Sequence, residues 1–127
     1  MNLYRQILLF LFVCCMLISC SSKTNNIPSL DETHARQFVE RIKIEHQLPA
    51  IIEMSITRKK AIDIAEPVLF KTYGKKSIKQ QRPYKTYLAD GYWHISGTLP
   101  GKFSLGGVFE IVINGENGQI VKMTHGK

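Results

Sequence analysis

The glycine-rich segment between Gly97 and Gly107, with the sequence GTLPGKFSLGG, has the composition of loops that bind phosphate. A Walker-type loop needs four residues between its first glycine and its Gly-Lys pair, and then a serine or threonine that reaches magnesium. Here three residues separate Gly97 from Gly101, and Phe103 occupies the hydroxyl position. A strand is predicted to follow, where a phosphate site needs a helix N-terminus. The sequence therefore predicts no nucleotide site, and we interpret the segment as a loop with Lys102 at its exposed tip.

The four histidines lack the spacing of a metal site. His34 and His46 lie on one predicted helix, 12 residues apart, which is too far for them to share an ion. His94 and His125 lie on predicted strands and could approach each other, although paired surface histidines are more common than metal sites. The sequence contains no HxH or HExxH motif. It therefore predicts no metal and no cofactor.

Carboxylates are equally sparse where catalysis would need them. Asp90 belongs to a predicted turn, and Glu110 is the single carboxylate inside a predicted strand. An acid–base enzyme normally needs at least two titratable groups with shifted pKa values in one pocket. The sequence therefore predicts no catalytic residues, and it favours a binding protein over an enzyme.

Residues 1–20 resemble the signal peptide of bacterial lipoproteins. Arg5 precedes an apolar run at 7–18 that is shorter than the roughly 20 residues needed to cross a bilayer. The run ends in Leu-Ile-Ser-Cys, which resembles a lipobox and implies cleavage before Cys20 and lipid on its sulfur. Ser21 is compatible with sorting to the outer membrane, on the side that faces the periplasm. The alternative is an uncleaved N-terminal anchor, and in both cases we expect the rest of the chain outside the cytoplasm.

The basic charge of the chain allows three explanations. Removal of residues 1–19, which contain one basic residue, Arg5, lowers the net charge from +7 to +6. That charge suits solubility and attraction to anionic lipid near the anchor. It also suits an acidic protein partner, which the field would steer towards the protein. Nucleic acid is a third candidate partner, and the predicted compartment argues against it.

Two helices are predicted in the first half of the mature chain. Residues 20–29 form a polar tether, and 30–127 form a single domain. The first helix extends from about Leu30 to Gln47, because its apolar residues recur at helical spacing. Residues 50–56 are either an edge strand or a connector. Thr57 caps the second helix, which is expected to kink at Pro67 and which ends in a basic cluster: Lys71, Lys75, Lys76, Lys79 and Arg82.

Period-two alternation predicts four strands in the second half, as two hairpins. The strands cover Tyr84–Ala89, Tyr92–Thr98, Val108–Asn114 and Gln119–His125. They form an antiparallel meander, and both helices are expected to cover one of its faces, which makes the domain α+β. The opposite face mixes tyrosine, histidine, valine and charge. It is either a protein contact surface or an ordinary half-exposed face, and the candidate partner-binding residues are Tyr92, His94, Lys102, Phe103, Glu110 and Lys122.

Several separated motifs, in the same order, resemble a bacterial immunity family from polymorphic toxin systems. The motifs are the helix at 61–75, Arg82-Pro83-Tyr84, Tyr92-Trp93, the GTLP at 97–100, the GGVFEI at 106–111 and the closing His125-Gly126-Lys127. The resemblance implies a nuclear-transport-factor-two-like, cystatin-like fold of reduced size. It also implies a non-enzymatic protein that binds and blocks a cognate toxin. Two alternatives stay open: an envelope lipoprotein that binds another periplasmic protein such as a cell-wall hydrolase, and a small-molecule enzyme of the same superfold.

Overall fold

The structure is a computed structural model that describes residues 27–51, 53–101 and 106–126. Its helices are α1 (Leu30–His46), α2 (Arg58–Tyr73) and the short α3 (Lys75–Lys79), and its strands are β1 (Lys85–Ala89), β2 (Tyr92–Ser96), β3 (Phe109–Asn114) and β4 (Ile120–His125). None of the described helices is both long and apolar enough to cross a membrane. The predicted signal peptide, the lipidation site Cys20 and nearly all of the tether lie outside the described residues.

Both long helices begin where the sequence places a capping side chain. Ser29 Oγ accepts a hydrogen bond from the backbone N–H of Glu32 at 3.1 Å, and Thr57 Oγ1 accepts one from Lys60 at 3.3 Å. These bonds satisfy donors that the first turn of a helix leaves without partners. The helix bounds predicted from the apolar spacing are therefore confirmed to within a residue or two.

The four strands form the predicted antiparallel meander, in the order β1-β2-β3-β4. Asp90 and Gly91 connect β1 to β2 with φ angles of 49° and 82°. Two left-handed residues in sequence form the type of turn whose twist matches the flanking strands. The 50–56 segment is a connector, since its described part contains no strand. It is held by the Gly115 carbonyl, which accepts from the N–H groups of Ser55 and Ile56 at 2.9 and 2.8 Å.

One face of the sheet packs against α2. The fully buried side chains on this side include Ala61, Ala65 and Leu69 from the helix and Ile95, Phe109, Ile111 and Ile113 from the sheet. The indole N–H of Trp93 donates to the Ile56 carbonyl at 2.8 Å, so this face also anchors the connector. This is the apolar face that strand alternation identifies.

The opposite face packs against α1, and here the structure corrects the prediction that both helices share one face. Phe38, Val39 and Ile42 of α1 pack on Ala89, Tyr92 and Val112 of the sheet. The α+β class and the meander are confirmed, but the sheet lies between the two helices. Strand alternation separates the faces without saying which helix covers each. The apolar stripe of α1 needs cover, and the mixed face supplies enough apolar area to provide it.

Candidate functional site

Three side chains with metal-ligand or acid–base chemistry converge between α1 and the sheet. His34 comes from the first half of α1, His94 from the middle of β2 and Glu110 from β3. Glu110 Oε2 lies 3.0 Å from His34 Nε2 and 2.8 Å from His94 Nε2. An ionised carboxylate only accepts hydrogen bonds, so both imidazoles donate from Nε2. We call these three residues the His-Glu-His cluster.

The cluster joins a buried end to an exposed one. His94 is only 1% exposed, whereas the His34 side chain is 60% exposed and that of Glu110 is 21% exposed. The hydrogen bond from His94 holds the pKa of the Glu110 carboxyl below its ordinary value against the opposing effect of burial, and the bond from His34 adds to it. Nδ1 of His94 is buried with no hydrogen-bond partner in the described structure. The carboxylate is therefore charged at neutral pH, with imidazoles as its partners.

Ion pairs fix the rest of α1 across the same face. Near its start, Asp31 pairs with Lys85 of β1 at 2.9 Å. Near its end, Lys43 pairs at 2.6 Å with the Asp90 carboxylate in the β1–β2 turn. Glu45 lies 3.6 Å from the Lys122 ammonium on β4. The charges on this side of α1 are thus largely matched by charges on the sheet.

The predicted partner-binding residues divide into three groups in the structure. Tyr92 and His94 are each 1% exposed beneath α1, and the Tyr92 hydroxyl donates to the Pro49 carbonyl at 2.8 Å. These two predictions are corrected, because a helix already occupies the face on which both lie. Glu110 and Lys122 are partly exposed at the edge of α1, and their role in binding stays a prediction. Lys102 and Phe103 lie outside the described residues.

The histidines also differ from their expected arrangement. His94 points towards α1, whereas the ring of His125 lies 5.0 Å from that of Tyr73 on the α2 side. These two histidines are therefore on opposite faces and do not approach each other. His34 and His94 do, although 60 positions separate them along the chain. No local motif signals that pairing, since it depends on which face α1 covers.

A second polar network lies where α2 meets the start of the sheet. Glu66 accepts hydrogen bonds from the Arg82 guanidinium and from the Tyr84 hydroxyl. Burial alone would raise the pKa of the Glu66 carboxyl, but these hydrogen bonds outweigh it and lower that pKa below its ordinary value. Ile62 and Pro83 complete the walls of an open depression of about 520 Å³ here. The charges of Arg82 and Glu66 satisfy each other, so Arg82 is less available to a partner than the sequence suggests.

The four lysines of the predicted basic cluster remain at the surface. Lys71 lies in the last turn of α2, and the other three lie on α3: Lys75, Lys76 and Lys79. All four are exposed, and none forms a salt bridge with another described residue. We call these four residues the lysine surface. No ion pair among the described residues matches this positive charge, although Lys79 is close enough to Glu66 to help lower the pKa of its carboxyl group. The charges between α1 and the sheet, by contrast, are matched by ion pairs.

Comparison with known proteins assigns the chain to a family. A family profile described as NTF2 fold immunity protein matches residues 60–127, just over half of the chain. The chain belongs to this family of NTF2 fold immunity proteins. The match spans nearly all of α2, then α3 and the four strands, and α1 precedes it. The resemblance noticed in the sequence is therefore confirmed, and the lysine surface lies within the region that defines the immunity family.

A curated protein of Escherichia coli is similar to part of this immunity family member. The chain is 31% identical over 67 residues to the "Uncharacterized protein YhhH" of Escherichia coli strain K12, and the alignment covers 53% of each chain. The chain thus spans about half the length of the curated relative it matches. No solved structure matches the chain.

Proposed function

We propose that this protein binds a cognate bacterial toxin and neutralises it by occupying the toxin surface, without catalysis of its own. The observation that carries the proposal is the match to the immunity family over residues 60–127. That region forms a helix-covered sheet with a buried core, which is a rigid support for a binding surface. Two depressions among the described residues, one along α1 and one beside Glu66, are open to solvent, which suits contact with a protein surface better than enclosure of a small substrate.

The lysine surface is the part of the domain that we assign to the toxin. Its four ammonium groups are exposed and none forms a salt bridge with a described carboxylate, although Lys79 acts on Glu66 at longer range. A cluster of one sign attracts a partner of the opposite sign and suppresses contact with other basic proteins. We therefore propose that the toxin presents an acidic face to α3 and to the end of α2.

The signal-like segment supports a location in the cell envelope. In this proposal the chain is cleaved before Cys20, carries lipid on that cysteine, and faces the periplasm from the outer membrane. An inhibitor protects a cell where its toxin acts, so the target would be a toxin that attacks the cell wall or membrane. Labelling of cells with radioactive palmitate tests the anchor: the wild-type chain should incorporate label, and the Cys20→Ser chain should not. Equal labelling of both chains, or none in either, would exclude lipid on Cys20.

Binding to the product of a neighbouring toxin gene tests the function. The full-length chain, purified in mild detergent, should bind that toxin and should restore growth when both are expressed in one cell. The double variant Lys75→Glu, Lys76→Glu should weaken binding and make the remaining binding less sensitive to salt, because fewer attractive charge pairs are left for salt to screen. The double variant Arg58→Glu, Lys60→Glu changes the net charge equally at the far end of α2, and it should bind as the wild type does.

The outcomes separate the function from the surface. If the wild-type chain neither binds the toxin nor protects cells, the immunity role is wrong, and an envelope protein with another partner becomes the better explanation. If the wild type binds and both double variants weaken binding equally, the immunity role stands and the lysine surface is not the contact.

A further inference from the structure

The His-Glu-His cluster combines the donor atoms of a transition-metal site. Two imidazole nitrogens and one carboxylate oxygen, from His34, His94 and Glu110, all lie within 4.8 Å of one another. Imidazole and carboxylate together bind zinc and its neighbours in the first transition row. Three protein ligands with one side open to solvent is also the pattern of zinc sites that keep a free position.

The distances are close to those that a metal ion would impose. Nitrogen and oxygen ligands at about 2.0–2.1 Å from a tetrahedral ion lie about 3.3 Å from each other. Glu110 Oε2 is 3.0 Å from His34 Nε2 and 2.8 Å from His94 Nε2, as hydrogen bonds require. A metal ion that replaces the two bridging hydrogens would move each nitrogen away from the carboxylate oxygen by a few tenths of an ångström. It would also hold the two nitrogens, which lie within 4.8 Å of each other, at a similar spacing. Rotation of the exposed His34 side chain can supply that movement without a change in the backbone.

The charge and support around the cluster also suit a cation. No lysine or arginine of the described chain forms a salt bridge with Glu110, whose recorded partners are the two imidazoles. The guanidinium of Arg41, on the same helix as His34, lies over the Phe38 ring at 5.1 Å from its centroid. That ring in turn packs 5.2 Å from the His94 ring and holds it in place. The carboxylate charge is therefore available to a metal, and the buried ligand is held by packing.

We propose that His34, His94 and Glu110 bind a divalent transition-metal ion such as Zn²⁺, with a remaining coordination position open to solvent beside His34. The ion joins α1 to β2 and β3, which already pair with each other as neighbouring strands, whereas side-chain packing and polar contacts hold α1 to them. Residues 21–127 contain no cysteine, so such an ion would be a cross-link in a domain without disulfides. The site stands independently of toxin binding, because its three ligands lie on the α1 side of the sheet, away from the lysine surface.

Metal titration of the tag-free full-length chain in detergent, after treatment with chelator, tests the site. Calorimetry with ZnCl₂ should show one ion bound per chain, and ZnCl₂ should raise the unfolding temperature because the metal binds the folded state. MgCl₂ should do neither, because magnesium prefers oxygen ligands and keeps its water. His34→Ala should weaken zinc binding at least about tenfold, since even loss of an outer-shell partner typically costs 10–100-fold in affinity.

His46→Ala is the matched control, because His46 is an exposed histidine near the other end of the same helix. Its affinity for zinc should equal that of the wild type. His34 is largely exposed, so its removal leaves the fold intact, and circular dichroism without metal should confirm this. The proposal fails if zinc binds with a dissociation constant above about 1 mM, the level of weak non-specific association. It also fails if His34→Ala binds as tightly as the wild type, or if His46→Ala weakens binding to the same extent.

Discussion

Substitution of Gln81 tests how much one buried hydrogen bond contributes to stability. The buried amide of this residue joins the segment after α3 to the sheet. The residue is 6% exposed. Its Oε1 accepts a hydrogen bond from the Phe109 N–H at 2.9 Å, and its Nε2 lies 3.1 Å from His125 Nε2. Its backbone carbonyl accepts from the Thr98 N–H at 2.8 Å. One side chain thus accepts the hydrogen bond of the first backbone N–H of β3 and also contacts the last residue of β4.

The substitution Gln81→Leu keeps the approximate size of the side chain and removes both of its polar groups. The Phe109 N–H then stays buried without an acceptor, which costs about 1–3 kcal/mol of unfolding free energy. The substitution also removes the hydrogen bond between Gln81 and His125. Because the His125 ring is partly exposed and can bond to water instead, this second loss adds little to the destabilisation. We therefore expect a destabilisation of about 1–3 kcal/mol. For a domain of about 100 residues, each kcal/mol corresponds to roughly 4–8 °C in unfolding temperature.

Urea unfolding followed by tryptophan fluorescence measures this difference. Trp93 is the only tryptophan of the chain, and it is half-buried on the α2 side of the sheet. Gln80→Leu is the matched control, since Gln80 is the exposed neighbouring glutamine with no recorded side-chain hydrogen bond. A Gln81→Leu protein within about 0.5 kcal/mol of the wild type, the range of ordinary surface changes, would refute the reasoning.

Three further predictions concern the core, a turn and the response to acid. Leu69→Ala removes a fully buried side chain of α2 and should lower the unfolding free energy by about 2–5 kcal/mol in the same urea assay. Gly91→Ala should cost at least about 1 kcal/mol by thermal unfolding, because φ at this turn is 82° and an added Cβ would overlap Ile51; an unchanged midpoint would contradict this contact. Hydrogen bonds from Arg82 and Tyr84 lower the pKa of Glu66 in the folded state below its value in the unfolded chain. The ionised carboxylate therefore stabilises the fold above about pH 4.3, and this contribution is lost as the pH falls below that value. Urea midpoints from pH 7 to pH 3 should therefore fall more steeply for the wild type than for Glu66→Gln below about pH 4.3, and parallel profiles would exclude this contribution.

Local features of the fold were predictable because each depends on neighbours in the chain. The Ser29 and Thr57 caps, the left-handed Asp90-Gly91 turn and the period-two strands need only short-range chemistry. The lysine surface was likewise visible, since charges close in sequence on a helix end stay close in space. The pairing of Arg82 with Glu66 was not predicted, because these residues lie 16 positions apart on different elements.

The sequence by itself determined the elements, their order, the meander and the family, because short-range propensities and motif order are properties of the chain alone. Only the tertiary structure decided that α1 crosses the face opposite α2. That docking buries Tyr92 and His94, which alternation alone leaves on a candidate contact surface. It also brings His34 to His94 and Glu110, and so creates the His-Glu-His cluster. The physical reason is that an amphipathic helix and a two-faced sheet each require cover, but neither pattern specifies its partner until the whole core is packed.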